Sequence, residues 1–437
     1  MKINKFSAAF LAAVVILSSC SKDEPATGTE GSETFASISI ALPQTKAPDD
    51  GAGAGWEKVV SEIGVFIYDQ TSYLVHSEYK GLSDFTQTGN SYKANFAVKT
   101  TEGTKDILVV INPTAALKTK LQASTTSAIN AVAFAVAQSE FVTAGTSIVM
   151  SGLLKDQVVP GGISETDAQN ATNTKTVQIY RNLSKFALEV SPTLTVPGGT
   201  MTLQYTSGAI ANDAYFSQQA TTLYYDVPAS LTTDAERAAY FAARYSPVNN
   251  VTTGYVAVPD LNTSKIATTG GFYAFENEHD ATDGYYYGNT TCFLIRGQFT
   301  PTSVVNTYDP ATQAKTTGTI ATGASFYIRK IDSEFWSEAA YASATTGAGA
   351  DHTAADFTAI YDQGYCYYYA PVQDDTNSDT YGVKRNHFYV SQITKINRIG
   401  YPGTDWKPED PITKVTYLSI EAIVNPWDWQ ISEIELP

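Results

Sequence analysis

A chain of 437 residues with 16% charged residues and a net charge of −16 can bury a sizeable core, most naturally as two domains, and its acidity disfavours nucleic acid and anionic membranes as partners. Tyrosine is abundant at 28 residues, and after the leader no apolar stretch reaches membrane length, a composition that fits a secreted, mainly β protein.

The chain opens on processing signals. Lys2 and Lys5 precede an apolar run over 6–17 that is too short to cross a bilayer as a helix and reads as a signal peptide. Leu17-Ser18-Ser19-Cys20 resembles a lipobox, making Cys20 the expected lipidation site and residues 1–20 the leader. Ser21-Lys22-Asp23-Glu24 is similar to the signal that directs Bacteroidota lipoproteins to the outer face of the outer membrane. Residues 21–46 then read as a propeptide. Within it 35–42 alternates, with Ala36, Ile38, Ile40 and Leu42 on one face of a half-buried strand. Lys46 and Ala47 follow in a Pro-rich loop, where the lysine is either an ordinary solvated residue or the target of a trypsin-like protease. Removing residues 1–46 leaves the charge at −16.

Period-2 or continuous apolar runs predict strands at 63–68, 107–112, 176–190, 292–299, 325–329, 365–372, 387–399 and 416–424, and the Gly/Ala run 51–55 is a linker. Helical patterning is confined to 126–141 and 233–245, the second opening on Thr-Asp as a cap. A Pro/Gly-rich stretch from Ser191 suggests two β-sandwich-like domains, 47–190 and 191–437, with a few peripheral helices. At the C-terminal end Leu418, Ile420, Ala422 and Val424 share one side of a strand. Asn425-Pro426 interrupts it, and Trp427, Trp429 and Ile431 resume alternation. A strand there needs a pairing partner, either the protein's own sheet or a groove on another subunit.

Chemistry-bearing constellations are thin. Four histidines form no His-x-x-x-His pair, no Cys-x-x-Cys or Gly-x-Ser-x-Gly frame is present, and we expect no catalytic site, metal or cofactor. Glu276-Asn-Glu-His-Asp280 reads as a solvated loop or a calcium loop. Arg296, Lys384 and Arg385 read as exposed ladder charges, and Cys292 and Cys366 as buried, unpaired thiols. Tyr285–Tyr287 and Tyr365–Tyr369 can supply core or an aromatic platform.

Four segments in order resemble the fimbrillins of Bacteroidales type V pili, in their minor fimbrillin (Mfa) branch. They are Gly288-Asn-Thr-Thr-Cys-Phe-Leu-Ile-Arg-Gly-Gln-Phe-Thr-Pro301, Gly364-Tyr-Cys-Tyr-Tyr-Tyr-Ala370, the 383–400 strand opening Val383-Lys-Arg-Asn386, and Val424-Asn-Pro-Trp427. The likeness is strongest over 270–437 and architectural over 47–190. It implies transthyretin-like sandwiches and a lipid-anchored precursor in the outer membrane. It further implies cleavage after Lys46, departure of the first strand, and filling of the vacated groove by a C-terminal strand of a neighbour. Partners would be other pilin subunits, pilus anchor and tip proteins, a trypsin-like surface protease, and host or bacterial surface ligands. The best-known members are cut after arginine, and this chain offers lysine, so an arginine-only protease would fail. Possession of both exchangeable strands favours a shaft subunit supporting adhesion or biofilm. The alternative is a monomeric outer-membrane lipoprotein that binds glycans or host protein.

Overall fold

The computed structural model describes residues 31–41, 59–71, 73–81, 86–88, 91–93, 96–123, 138–143, 146–212, 227–260, 271–279, 284–373, 380–412 and 418–426, and the chain is mainly β. Two strands with no polar face organise the N-terminal half. Glu62–Asp69 and Gly103–Ile111 are the inner members of a five-stranded sheet completed by Leu74–Gly81, Met150–Val159 and Tyr180–Arg181. Ile63, Val65, Ile67, Ile107, Val109 and Ile111 enter one core, while Phe66, Tyr68, Leu108 and Val110 enter another. Burial on both faces is why these strands read as continuous apolar runs instead of alternating ones.

One face is covered by a three-stranded sheet, in the order Thr174–Gln178, Glu33–Ala41, Phe96–Thr101. The other is covered by the helix Ala115–Ala123, through Leu117 and Leu121, and by Leu183, Ala187, Phe241, Tyr245, Phe275 and Phe388. Those last six residues come from the C-terminal half, so the two halves share one apolar core. The C-terminal half is itself a sandwich of two four-stranded sheets. Phe272–Ala274, Ser184–Val190, His387–Ile396 and Leu418–Pro426 form one. Val256–Ala257, Gly199–Gly208, Cys292–Pro301 and Tyr365–Pro371 form the other, with Phe186, Tyr205, Phe293 and Tyr389 among the side chains between them.

Helix Asp234–Arg244 begins where the sequence places it. Thr233 Oγ1 accepts from the Glu236 amide, and the Glu236 carboxylate accepts from the Thr233 amide at 3.0 Å, a reciprocal capping box. The helix Ala115–Ala123 was not anticipated, because its only buried contacts are two leucines in a Lys/Thr-rich run. Of the helix expected at 126–141, the described part is Gln138–Phe141.

Two architectural expectations are corrected. Ser184–Val190, assigned by sequence to the first domain, runs parallel to His387–Ile396 inside the second, and all seven of its residues are buried. The chain changes sheets at 181–184, so the Pro/Gly-rich stretch after Ser191 is a loop of the C-terminal half. Further, the antiparallel partners Cys292–Pro301 and Tyr365–Pro371 are joined by an inserted small fold. Its four-stranded sheet runs Ala314–Gly318, Val304–Asp309, Phe335–Ser337, Phe326–Ile328, and with helix Glu338–Thr345 it buries Val305, Tyr308, Trp336, Ala340 and Phe357.

A charged network closes this insertion. Arg329 pairs with Asp332 and, at 3.2 Å, with Glu334; Tyr308 donates to Asp351 at 2.6 Å, and His352 Nδ1 lies 2.8 Å from the same carboxylate. The Arg329 hydrogen bond holds the Asp332 carboxyl below its ordinary range, and Tyr308 followed by His352 does the same for Asp351. A carboxylate depressed in the folded state stabilises above its unfolded pKa of about 3.9, and that contribution is lost as pH falls through the lower folded value. We therefore expect the urea midpoint of the insertion's unfolding to drop between pH 5 and pH 2, and to drop less in Arg329→Met. Equal acid sensitivity of the two proteins would contradict this.

Candidate functional site

Glu33–Ala41 occupies the middle of its sheet, not an edge. Residues 33–38 pair antiparallel with 96–101, and residues 37–41 pair parallel with 174–178. The strand is therefore stitched on both sides, with the two ladders overlapping at Ser37 and Ile38. Alternation places Ala36, Ile38 and Ile40 in the core at 2%, 0% and 2% exposure, against Val98, Val177 and the inner face of the five-stranded sheet. Burying each isoleucine contributes about 1.5–3 kcal/mol.

Polar contacts also fix the register, and sequence alternation gave no sign of them. Thr34 Oγ1 donates to Pro160 O at 3.0 Å and accepts from the Ile163 amide at 3.0 Å, while Ser37 Oγ lies 3.1 Å from Thr174 Oγ1. A one-residue slip would break these bonds and turn Ile38 out of the core. The small side chain at 36 and the two large ones at 38 and 40 make this a shallow position followed by two deep ones.

The second candidate element, Leu418–Pro426, is an edge strand. Among the described residues it pairs only with His387–Ile396, antiparallel, so that Leu418, Ile420, Ala422 and Val424 stand opposite Ile396, Ile393, Ser391 and Tyr389. This segment is thus held by its own chain. Cys20, Leu42, Lys46, Ala47, Trp427, Trp429 and Ile431 lie outside the described residues.

The remaining motifs serve the scaffold. A Cβ at Gly288 would stand 2.6 Å from Pro408 and 2.9 Å from Phe241, so only glycine fits there. Asn289 Oδ1 accepts from the Tyr286 amide at 2.8 Å, and its carbonyl accepts from Asn277 Nδ2 at 2.7 Å. Arg385, expected to be exposed, is 5% exposed and pairs with Glu276 at 2.9 Å. The residue that neutralises it lies 109 positions earlier in the chain, beyond the reach of local pattern. Asn386 follows at φ 60° and donates its amide to Leu183 O at 2.8 Å, fixing the turn at which the chain changes sheets.

Glu276 and Glu278 are engaged by Arg385 and Lys384, and Asn277–Glu278 forms a short strand paired with Gly382–Val383, so these residues are not a solvated loop; Asp280 lies outside the described residues. Among the described residues no group of three or more His, Cys, Asp or Glu is placed to hold a metal. Cys292 and Cys366 are free and buried, and burial pushes the Cys366 thiol up to about 11. An open depression of about 540 Å³ beside Val190 and Thr202 has Asp260 as its one ionisable lining residue. No described helix is long and apolar enough to cross a membrane.

Comparison with known proteins gives this geometry a family. Residues 36–181 match the model of the major fimbrial subunit protein (FimA), and residues 359–433 match that of the major fimbrial subunit protein type IV, fimbrillin, C-terminal. The first match extends the family signal into the N-terminal half, where sequence reading found only an architectural likeness. The minor fimbrium subunit Mfa1 of Porphyromonas gingivalis is 24% identical over 467 aligned residues, covering 94% of this chain and 89% of that protein. The solved fimbrilin (fimA) of Porphyromonas gingivalis is 15% identical with a TM-score of 0.47, covering 91% of this chain and 98% of that one. The tip fimbrial protein Mfa3 of the same organism is 13% identical with a TM-score of 0.41, covering 91% and 100%.

Ile38→Ala in the unprocessed chain should lower unfolding free energy by about 2–4 kcal/mol, the cost of a buried isoleucine whose site cannot collapse. Urea denaturation checks this, and a loss below about 1 kcal/mol would mean that the strand is not part of the cooperative core.

Proposed function

Since the chain belongs to the fimbrillins, in their minor-fimbrium (Mfa) branch, and is a non-enzymatic structural subunit of an extracellular fimbrium, we propose that it polymerises by exchanging β-strands between subunits. The observation that carries this reading is the middle position of Glu33–Ala41. Departure of an edge strand would leave an intact sheet. Departure of this one leaves two unpaired ladders flanking an apolar trough, a state that is stable only when another strand enters.

In this reading the precursor is acylated at Cys20 and held on the outer membrane, and a trypsin-like surface protease cuts between Lys46 and Ala47. The first strand, with Ala36, Ile38, Ile40 and Leu42, then leaves. A strand entering in the same direction restores both ladders, antiparallel to 96–101 and parallel to 174–178; an entrant in the opposite direction would invert both. Donor and acceptor surfaces differ, so the contact is open-ended and grows a filament.

Leu418–Pro426 already pairs in its own sheet, which favours the following residues, 427–436, as the donor. Within them, Ser432-Glu-Ile-Glu-Leu436 repeats in the same direction the small, large, large order of Ala36-Ser-Ile-Ser-Ile40. Trp427 and Trp429 would overfill the shallow site of Ala36, so the face of Ser432, Ile434 and Leu436 enters the groove and the tryptophans lie before it. Other subunits, an anchor and a tip protein are the partners of this process.

Lys46→Ala should accumulate a lipidated, unassembled precursor, and Ile434→Asp should yield processed monomers of unchanged Tm that form no ladder on unheated gels. Normal polymers from the first variant would remove Lys46 from the mechanism. Normal polymers from the second would remove the 432–436 register.

A further inference from the structure

The outer face of the Gly199–Gly208, Cys292–Pro301, Tyr365–Pro371 sheet carries a feature that polymerisation does not use. Gln204, Arg296 and Tyr367 stand in register on the three adjacent strands, and Thr202, Gln298 and Tyr365 form the next row. Tyr367 exchanges backbone hydrogen bonds with Tyr401 at 2.7 and 2.8 Å, which extends the row by one more ring, and Tyr401 is 39% exposed. The Arg296 guanidinium lies between two tyrosines, its Cζ 4.4 Å from the Tyr255 ring centre and 4.7 Å from that of Tyr365. Gln204 Oε1 accepts from Nε at 3.1 Å and from Nη2 at 2.6 Å.

All of these partners are neutral. Arg237, Arg329 and Arg385 each pair with a carboxylate, whereas among the described residues Arg296 has none, on a protein of net charge −16. Stacking and the Gln204 clamp fix the plane of the guanidinium, and a planar fork held in this way suits bidentate recognition of a carboxylate. The Tyr255 hydroxyl likewise has no hydrogen-bond partner among the described residues.

We infer that this shelf binds a saccharide bearing a carboxylate, a uronic or comparable acidic sugar, with Arg296 on the carboxylate, Tyr365 and Tyr401 against the sugar's C–H faces, and Thr202 and Gln298 on its hydroxyls. Charge complementarity supplies the acid, because Arg296 is a half-buried cation with no counter-ion among the described residues. The row of rings and amides on three adjacent strands supplies the sugar, since tyrosine faces pack against C–H surfaces and amides bond hydroxyls. The strong negative charge of the whole chain disfavours densely anionic polymers and leaves a single carboxylate per contact as the fitting ligand. The shelf faces away from the sheet that carries Leu418–Pro426, so a subunit engaged through its C-terminal segment keeps it open.

Isothermal titration of the intact protein with trigalacturonic acid, its methyl ester and neutral maltotriose tests this assignment. The acid should bind at least tenfold more tightly than the ester or the neutral sugar, and Arg296→Met should remove that preference while circular dichroism and Tm stay unchanged. Arg296→Lys, which keeps the charge but not the fork, should also weaken the acid at least tenfold, and it serves as the readout if the methionine variant does not fold. Absence of binding by the acid, equal binding of its ester, or wild-type affinity in the folded arginine variants would overturn the site. Equal competition by a short peptide with a free C-terminal carboxylate would overturn the saccharide assignment.

Discussion

The structure depends on one five-stranded sheet that must be kept dry on both faces. Its inner strands, Glu62–Asp69 and Gly103–Ile111, present apolar side chains to two cores, so neither side can be left to water. One side is closed permanently by the C-terminal half. The other is closed by a three-stranded sheet whose middle member is the first described strand of the chain. In the proposed strand exchange, placing a replaceable element over a surface that cannot stay exposed couples the integrity of the subunit to its occupancy. Loss of Ala36, Ile38 and Ile40 opens part of the core, and refilling that space is favourable for the same reason that the space was filled at first. Two ladders and buried side chains would also make a strand, once seated, slow to withdraw.

The second consequence concerns mechanics. Phe66, Tyr68, Leu108 and Val110 of the N-terminal half pack in one cluster with Phe241, Phe275 and Phe388 of the C-terminal half. The two halves are therefore joined through a shared apolar cluster. The inserted fold between Pro301 and Tyr365 has its own core of Val305, Tyr308 and Trp336, and the Arg296 shelf lies on the outer sheet beside it.

Much of the scaffold was legible in the sequence because burial leaves a periodic trace. Continuous runs marked the strands with two dry faces, strict alternation marked 35–42 as having one, and Thr233 with Glu236 marked a helix start. What periodicity does not encode is the partner. It could not tell that Ser184–Val190 joins the distant His387–Ile396, nor that Glu33–Ala41 lies between two strands instead of at an edge. It failed on charge for the same reason. Arg385 and Arg296 both read as exposed ladder residues, yet one is neutralised in the interior by Glu276 and the other is held between tyrosine rings. The inserted fold escaped because two of its four strands are only three residues long and Ala314–Gly318 has almost no buried side.

The most direct test of strand exchange is the intact mass of the protein recovered from the native cell surface, combined with its gel mobility before and after boiling in detergent. The account predicts a mass that begins at Ala47 and a ladder of multimers that boiling collapses to one band. A diacylated monomer that begins at Cys20 and runs identically with and without heat would contradict it.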